Sequence, residues 1–204
     1  MAEETKPVVA DGTDTGDSEV ASSSFTPPAG YEGLQSLPSD ICLGGIVSKG
    51  FQRGSKLLGI PTANIPLENP DNPEQIKVVE KLDAGIYFGW TQIWRKKVPV
   101  ADDDLEEEEN FEGKVFKTVV SIGWNPYFKN KTKTIEPYVM HEFHQDFYDY
   151  YIRVVLCGYL RPELDFTSME DLISAINQDI KLSKELLDRE EYAKAKSSDY
   201  FVHL

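Results

Sequence analysis

Cysteine is scarce in this chain, and its scarcity excludes several protein classes. Cys42 and Cys157 are the only two among 204 residues, so the chain cannot build a disulfide framework or a four-cysteine zinc site. Two buried thiols are the simpler interpretation, and they suit a reducing compartment. Long apolar runs are also missing, because none approaches the roughly 20 residues that cross a bilayer. The first residues contain no apolar core of a signal peptide, and we expect a cytoplasmic protein without membrane attachment.

Positive charge is not in excess either, because the net charge of the chain is −14. This balance argues against a nucleic-acid partner, which is recognised by a basic face. The acidity is concentrated in two segments: residues 1–40 contain eight acids and one lysine, and residues 102–112 contain eight acids and no base. The rest of the chain is close to neutral, so the net charge says little about the working surface.

The chain divides into a polar tail and one domain. Residues 1–38 are rich in Ser, Thr, Gly, Pro and acids, which predicts a disordered acidic tail followed by a domain at 39–204. Strand-like runs rich in β-branched and aromatic residues then follow one another without intervening helices, at 41–50, 85–94, 115–124, 133–143 and 149–160. This order favours an antiparallel sheet closed into a barrel. The acidic stretch 101–113 is predicted to be an insertion that enlarges a hairpin loop.

A long helix is predicted near the C-terminus. Thr167 or Ser168, with Glu170 or Asp171 three residues later, is typical of a capping box. Apolar side chains then recur at helical spacing, which predicts that one stripe packs on the barrel. The stripe comprises Met169, Leu172, Ile173, Ile176, Ile180 and Leu187.

A glycine-rich stretch between the first two long strand-like runs suggests phosphate binding. Residues 49–59 contain three glycines and three cations, which suits a loop whose backbone cradles phosphate, although an ordinary surface hairpin is an equal alternative. Thr62 and Asn64 follow in the sequence IPTAN. If that segment is extended, they point the same way and offer two hard oxygen ligands for Mg²⁺. A turn that satisfies its own backbone is the alternative.

Several motifs together resemble the riboflavin kinase family. KGFQRGSKLLGIPTANIP, GIYFGW, VVSIGWNPYF, EPYVMHEF, DFY and GYLRPE occur in the family's order over about residues 41–190. The resemblance implies a six-stranded antiparallel Greek-key barrel with a long C-terminal α-helix, and an enzyme that phosphorylates riboflavin with ATP to give FMN. It does not extend to a flavin adenylyltransferase module, so the chain is similar to the stand-alone eukaryotic type. We expect a monomer whose partners are the small molecules riboflavin and ATP.

The resemblance also implies roles for individual residues. Glu136 matches the catalytic carboxylate, and a carboxylate within hydrogen-bond reach can orient a hydroxyl and accept its proton. Thr62 and Asn64 match the Mg²⁺ ligands, with Zn²⁺ or Mn²⁺ as alternative metals. The remaining matches are the nucleotide-binding residues Gly50, Lys56, Thr62, Val139, His141 and Tyr148 and the flavin-binding residues Arg161 and Leu164.

Two other functions would need different sets of residues: flavin binding without phosphotransfer, and zinc binding. A flavin-binding barrel without phosphotransfer would need neither a metal ligand pair nor a base, so Thr62, Asn64 and Glu136 discriminate against it. The sequence HEFH at residues 141–144 suggests zinc, but it lacks the HExxH spacing and a third ligand. His141 is therefore better interpreted as a neighbour of the nucleotide.

Overall fold

The computed structural model describes residues 25–38, 41–48, 60–94, 114–124, 133–144 and 146–201. Its strands are β1 (Gln35–Ser36), β2 (Cys42–Ile46), β3 (Gly85–Trp94), β4 (Val115–Trp124), β5 (Lys133–Val139) and β6 (Tyr151–Arg161). Its helices are α1 (Gln75–Lys81), α2 (Met169–Leu187) and α3 (Glu190–Ala193), followed by a 3₁₀ turn at Lys194–Ser197.

The strands form one antiparallel sheet in the order β1-β6-β3-β4-β5, and β2 also pairs with β6. Strand pairing does not close this sheet into a barrel. Two single bridges connect its edges instead: Asn64 bridges Ser48, which follows β2, and Ile65 bridges Ile135 of β5. The predicted antiparallel sheet of six strands with a C-terminal helix is confirmed, and a short extended segment takes the place of full closure.

The central strands are covered on both faces, because alternate side chains enter two different cores. The inner core lies within the curved sheet and includes Leu43, Ile65, Tyr87, Val120, Ile135, Ile152, Val154 and Leu156. The helix-side core lies between the sheet and the C-terminal helices and includes Phe88, Trp90, Val155, Cys157, Leu182, Leu186 and Leu187. Cys157 is only 4% exposed, and burial raises the pKa of its thiol to about 12.

Helix α2 begins where the capping pattern predicts. Ser168 is the N-cap, and its Oγ accepts a hydrogen bond from the backbone N–H of Asp171 at 3.1 Å. The fully buried positions of α2 begin only at Asp179. Met169, which belongs to the predicted apolar stripe, is instead 55% exposed, because the first turns of α2 make less contact with the sheet than its C-terminal half.

Lys117 of β4 attaches the C-terminal end of α2 to the sheet. Its Nζ donates to the carbonyl of Lys184 at 3.0 Å and pairs with the Asp188 carboxylate at 2.6 Å. Cations near the last carbonyls of a helix complement its dipole. Helix α2 therefore lies along β4, on the face to which Lys117 points.

Amide side chains hold the segment before α1 against the outer edge of β2. Gln75 is fully buried; its Oε1 accepts from the N–H of Gly44 at 2.7 Å, and its Nε2 donates to the carbonyls of Pro66 and Leu67 at 3.0 and 3.3 Å. Asn69 donates to the carbonyl of Gly44 at 2.9 Å. Among the described residues β2 pairs only with β6, so these side chains satisfy its other edge and anchor the end of the segment that contains Thr62 and Asn64.

Part of the predicted disordered tail makes specific contacts. Strand β1 pairs with β6, and Tyr31 is 5% exposed with its hydroxyl donating to Asp179 Oδ1 at 2.8 Å. For residues 25–38 the structure therefore differs from the disorder predicted over 1–38, because a few apolar side chains in this polar segment find partners on β6 and α2. Residues 1–24 and the predicted loop at 101–113 lie outside the described residues.

Candidate active site

A short extended segment runs antiparallel beside β5. The N–H of Ala63 donates to the carbonyl of Pro137 at 2.9 Å, and the N–H of Ile65 donates to the carbonyl of Ile135 at 3.0 Å. These two hydrogen bonds define the register between residues 62–65 and β5. Ala63, Ile65 and Ile135 all point into the inner core, so the residues between them point to the opposite face.

Asn64 and Glu136 are opposed in this register. Residues directly opposite each other in antiparallel strands project to the same face and lie close together. Thr62 lies two residues before Asn64 and projects to that face too, opposite Tyr138. All three predicted residues are half-buried. The fold therefore brings a hydroxyl, an amide and a carboxylate together, as the extended geometry of IPTAN predicts.

Pro137, directly after Glu136, is compatible with the middle of β5 for a specific reason. Its carbonyl accepts from Ala63, and in an antiparallel strand the N–H and C=O of one residue face the same neighbour. The donor that proline lacks would therefore have pointed at the segment 62–65 and not at β4. The pairing of Glu136 with Ser121 of β4 stays intact.

The register continues from Glu136 across the whole sheet. Glu136 opposes Ser121 of β4, Ser121 opposes Ile86 of β3, and Ile86 opposes Arg161 of β6. At about 4.8 Å per strand, the backbones of Glu136 and Arg161 are roughly 14 Å apart. The predicted catalytic residue and the predicted flavin-binding arginine thus lie on one line across the same face.

Arg161 is engaged within the protein itself. It is 5% exposed; its Nε and Nη2 donate to the two carboxylate oxygens of Asp179 at 2.8 and 2.6 Å, and its Nη1 donates to the carbonyl of Pro162 at 2.9 Å. Burial lowers the pKa of Arg161, but hydrogen bonding to Asp179 and the charge of Asp179 outweigh it and raise the pKa. Burial and Asp179 also raise the pKa of Tyr31. This cluster holds the start of the loop after β6 against α2.

The carboxylate of Glu163, in that loop, lies over Gly123 of β4. A Cβ at position 123 would stand 2.6 Å from the carboxyl carbon of Glu163, so only glycine leaves room for this group. Gly123 is two residues beyond Ser121 and on the same face, which places it diagonally from Glu136. Burial raises the pKa of Glu163, and the negative charge of Glu136 raises it further. Two carboxylates therefore share this part of the face.

The predicted nucleotide-binding residues lie on the other side of Glu136. Val139 is three residues further along β5, about 10 Å away, but its side chain points into the inner core, on the face opposite to that of Glu136. The ring of His141 lies 4.6 Å from that of Phe116 and 4.8 Å from that of Phe143, measured between centroids. Along the strand direction, the order is thus His141 and Val139, then Glu136, then Gly123 with Glu163.

Four predicted site residues remain to be located. Tyr148 is half-buried and packs against the inner core, and Leu164 is 52% exposed in the loop after β6. Gly50 and Lys56 lie outside the described residues. The sequence analysis did not select Gly123 or Glu163, although both occur in motifs quoted there. A glycine inside a strand often marks the close approach of another group, and this was the available signal.

The architecture has a counterpart among solved structures. It resembles the crystal structure of riboflavin kinase from Trypanosoma brucei with a TM-score of 0.55, and the alignment covers 77% of this chain and 85% of that chain at 24% identity. At this identity the likeness defines the fold. In the part of the chain that the structure describes, no helix is long and apolar enough to cross a membrane.

Sequence comparison defines the class of protein as a kinase. The family model described as "Flavokinase: Riboflavin kinase" matches residues 37–187. Riboflavin kinase of Mus musculus is 43% identical over 168 residues, which cover 82% of this chain and 93% of that protein. The Homo sapiens riboflavin kinase is 43% identical over 160 residues, covering 78% and 88%. A bifunctional riboflavin kinase/FMN phosphatase of Arabidopsis thaliana is 44% identical over 160 residues, but these cover only 36% of that longer protein.

The chain belongs to the riboflavin kinase family. The family and the enzyme class predicted from the motifs, a phosphotransferase that makes FMN from riboflavin and ATP, are thereby confirmed. The roles of individual residues remain predictions, to which the geometry above adds physical arguments.

Proposed function

We propose that this chain transfers the γ-phosphoryl group of ATP to the 5′-hydroxyl of riboflavin, with Glu136 as the catalytic base. The observation that carries the proposal is the opposition of Asn64 and Glu136 on one face, with Thr62 beside them. A base and two hard oxygen ligands in one place are what phosphoryl transfer to an alcohol requires and what passive flavin binding does not.

Glu136 would act on the hydroxyl group of the substrate. The hydroxyl oxygen attacks the γ-phosphorus, the bond between that phosphorus and the ADP oxygen breaks, and the hydroxyl proton passes to the Glu136 carboxylate. Both reacting groups must lie in line, so Glu136 also orients the hydroxyl. Pairing to Ser121 on one side and to the segment with Asn64 on the other holds Glu136 in place during this step.

Thr62 and Asn64 fit a divalent metal, because their hydroxyl and amide oxygens lie next to a carboxylate on one face. Mg²⁺ takes hard oxygen ligands and usually needs one or two protein groups together with substrate phosphates. Mn²⁺ suits the same oxygens, whereas Zn²⁺ favours nitrogen and sulfur ligands that this set lacks. When bound, such a metal neutralises charge on the phosphates.

The order of residues along the strand direction, and not a shared face, supports positions for the two substrates on either side of Glu136, because Val139 points into the inner core. ATP would lie on the side of Glu136 toward β5's C-terminal end, and riboflavin on the side toward the loop after β6. We assign Gly50, Lys56, Val139, His141 and Tyr148 to ATP, and Arg161 and Leu164 to riboflavin. Because the Arg161 guanidinium is engaged by Asp179, its contribution would be to hold the riboflavin loop.

Glu136→Gln tests the assignment of the base. Without the carboxylate, FMN formation should fall about 10²- to 10⁴-fold, while KM for riboflavin and for ATP changes little because the amide keeps the shape. FMN production by the purified chain with Mg-ATP gives both parameters. Glu142→Gln removes the same charge from an exposed position nearby and should have near-normal activity. Undiminished turnover in Glu136→Gln would refute the base, and a wild-type chain that binds riboflavin without making FMN would favour a passive flavin-binding protein.

A further inference from the structure

Glu163 has a position that the reaction of Glu136 does not explain. Glu163 is exposed, its carboxylate lies over Gly123, and within the described residues no hydrogen-bond donor reaches it. Burial raises its pKa, and the negative charge of Glu136 adds to this effect. A carboxylate is an acceptor-only group with room for several donors. Because Glu163 is exposed, water reaches these acceptor sites in the free protein. A ligand that supplies donors would take the place of that water and lessen the repulsion from Glu136, so the pair is suited to such a ligand.

The position of Glu163 is held from two sides. Below it, Gly123 provides a recess that any side chain would fill. Before it in the chain, the carbonyl of Pro162 accepts a hydrogen bond from Arg161 Nη1 at 2.9 Å, and Arg161 is itself held by Asp179. The backbone before Glu163 is therefore fixed, and the carboxylate at the end of its side chain lies over the recess at Gly123.

The surface beside Glu163 offers an apolar contact as well as a polar one. Leu164, the next residue, exposes 52% of its surface and offers an apolar contact. Glu163 lies diagonally from Glu136, on the side away from Val139 and His141. A hydroxyl group close to Glu136 would thus place neighbouring hydroxyls of the same chain toward Glu163.

We propose that Glu163 is a riboflavin-binding residue whose carboxylate accepts a hydrogen bond from a secondary hydroxyl of the ribityl chain and so presents the terminal hydroxyl to Glu136. This inference rests on the proposed function, because it assumes that riboflavin is the acceptor substrate. Gly123 and Arg161 act through Glu163: the first leaves space for the carboxylate, and the second holds the backbone before it. They are positioning residues for the same contact.

Glu163→Ala is the first test. Removal of a charge-assisted hydrogen bond should lower kcat/KM for riboflavin about 10- to 100-fold, with the KM for ATP and the unfolding midpoint nearly unchanged. Asp165→Ala, which removes an exposed acid from the same loop, should keep at least half of the wild-type kcat/KM. A Glu163→Ala enzyme with normal kcat/KM would overturn the proposal, and so would an equal loss in Asp165→Ala.

Gly123→Ala moves the same carboxylate without removing it. The clash is with the flexible end of Glu163, so the strand need not shift, and kcat/KM for riboflavin should fall about tenfold. In the Glu163→Ala background the substitution should have little further effect, because the group that it displaces is absent. Additive losses in the double variant would show that Gly123 acts independently of Glu163 and would contradict the positioning role.

Riboflavin analogues that lack the 2′-, 3′- or 4′-hydroxyl identify the contact. For the analogue without the partner hydroxyl, wild type and Glu163→Ala should have nearly equal kcat/KM; for the other two the variant should stay impaired. Impairment with all three analogues would overturn the ribityl contact. Failure of this proposal and failure of the proposed function are distinct, since in the first case the wild type makes FMN and Glu136→Gln does not.

Discussion

Asp179 and Glu163 both lie near the end of β6, but their carboxylates differ in burial and in the hydrogen bonds that they accept. Asp179 is 2% exposed and accepts hydrogen bonds from Arg161 Nε, Arg161 Nη2 and Tyr31 Oη at 2.6 to 2.8 Å. Glu163 has no donor within the described residues, and the charge that acts on its pKa, that of Glu136, is of the same sign.

This difference in hydrogen bonding distinguishes a carboxylate that stabilises the fold from one that is available to bind a ligand. A buried carboxylate with all its partners connects the elements that carry them, here the segment before β1, the end of β6 and α2. A carboxylate without partners beside a like charge weakens the fold, and a ligand can supply the donors that it lacks. We therefore expect substitutions at Asp179 to affect stability first and substitutions at Glu163 to affect riboflavin use first.

The largest effect on stability is expected from Asp179→Asn. The substitution keeps the shape but leaves the buried guanidinium of Arg161 without a counter-charge, which typically costs about 3–5 kcal/mol. Urea unfolding at pH 7 measures this loss. Asp188→Asn is the matched control, because Asp188 pairs with Lys117 at the same 2.6 Å distance but is 74% exposed. An exposed pair contributes about 0–1 kcal/mol.

One result for the two ion pairs would contradict the larger effect expected at Asp179. If Asp179→Asn and Asp188→Asn lower the free energy of unfolding by similar amounts, then burial does not distinguish the Asp179 cluster from a surface ion pair. The hydrogen bonds of Asp179 would then contribute no more to stability than a surface ion pair does, and the contrast between Asp179 and Glu163 would have no measured effect on stability.

A smaller loss of stability is expected from Tyr31→Phe. The change removes only the hydroxyl that donates to Asp179 Oδ1 at 2.8 Å, and a hydrogen bond to a charged group contributes about 1.5–3 kcal/mol. A double-mutant cycle with Asp179→Asn, followed by urea unfolding, should give a coupling of at least 0.5 kcal/mol, the lower end for residues in one network. A coupling near zero would mean that Tyr31 stabilises the fold by its ring alone.

Local signals predicted much of the fold. Strands β3 and β4 follow runs of β-branched and aromatic residues, and the N-cap Ser168 is part of a short capping pattern. Such features depend on residues close in sequence, so one chain suffices to find them. Helix α1 was missed, because it has seven residues and is held largely by Gln75 hydrogen bonds to β2 and to the segment before it.

The site was predictable only in part, for a reason of distance along the chain. Thr62 and Asn64 share a face because they are two residues apart, and this the sequence indicates. The opposition of Asn64 and Glu136 depends on strand register, and the pairing of Arg161 with Asp179 and Tyr31 depends on how α2 and the N-terminal segment pack. No local pattern encodes these contacts, so Arg161 was interpreted as a ligand residue without its partner being foreseen.

The smallest effect on stability is expected from Glu163→Gln, and its sign tests the comparison most directly. Burial and Glu136 raise the pKa of Glu163 in the folded protein, so the folded state binds this proton more tightly than the unfolded state does. The stability linked to this proton is fully present below the unfolded pKa of about 4.3 and is lost as the pH rises through the folded pKa. At pH 7 the ionised group therefore weakens the fold.

Replacing Glu163 with glutamine should thus leave the free energy of unfolding at pH 7 equal or up to about 0.5 kcal/mol higher, within the usual range for surface substitutions. The difference from wild type should shrink as the pH falls from 7 toward 4, because protonation of Glu163 removes the charge that distinguishes it from glutamine. Urea unfolding of wild type, Glu163→Gln and Asp165→Asn at pH 4 and pH 7 measures it. A loss of 1 kcal/mol or more at pH 7 in Glu163→Gln alone would reveal a stabilising partner for the Glu163 carboxylate, and the contrast with Asp179 would no longer hold.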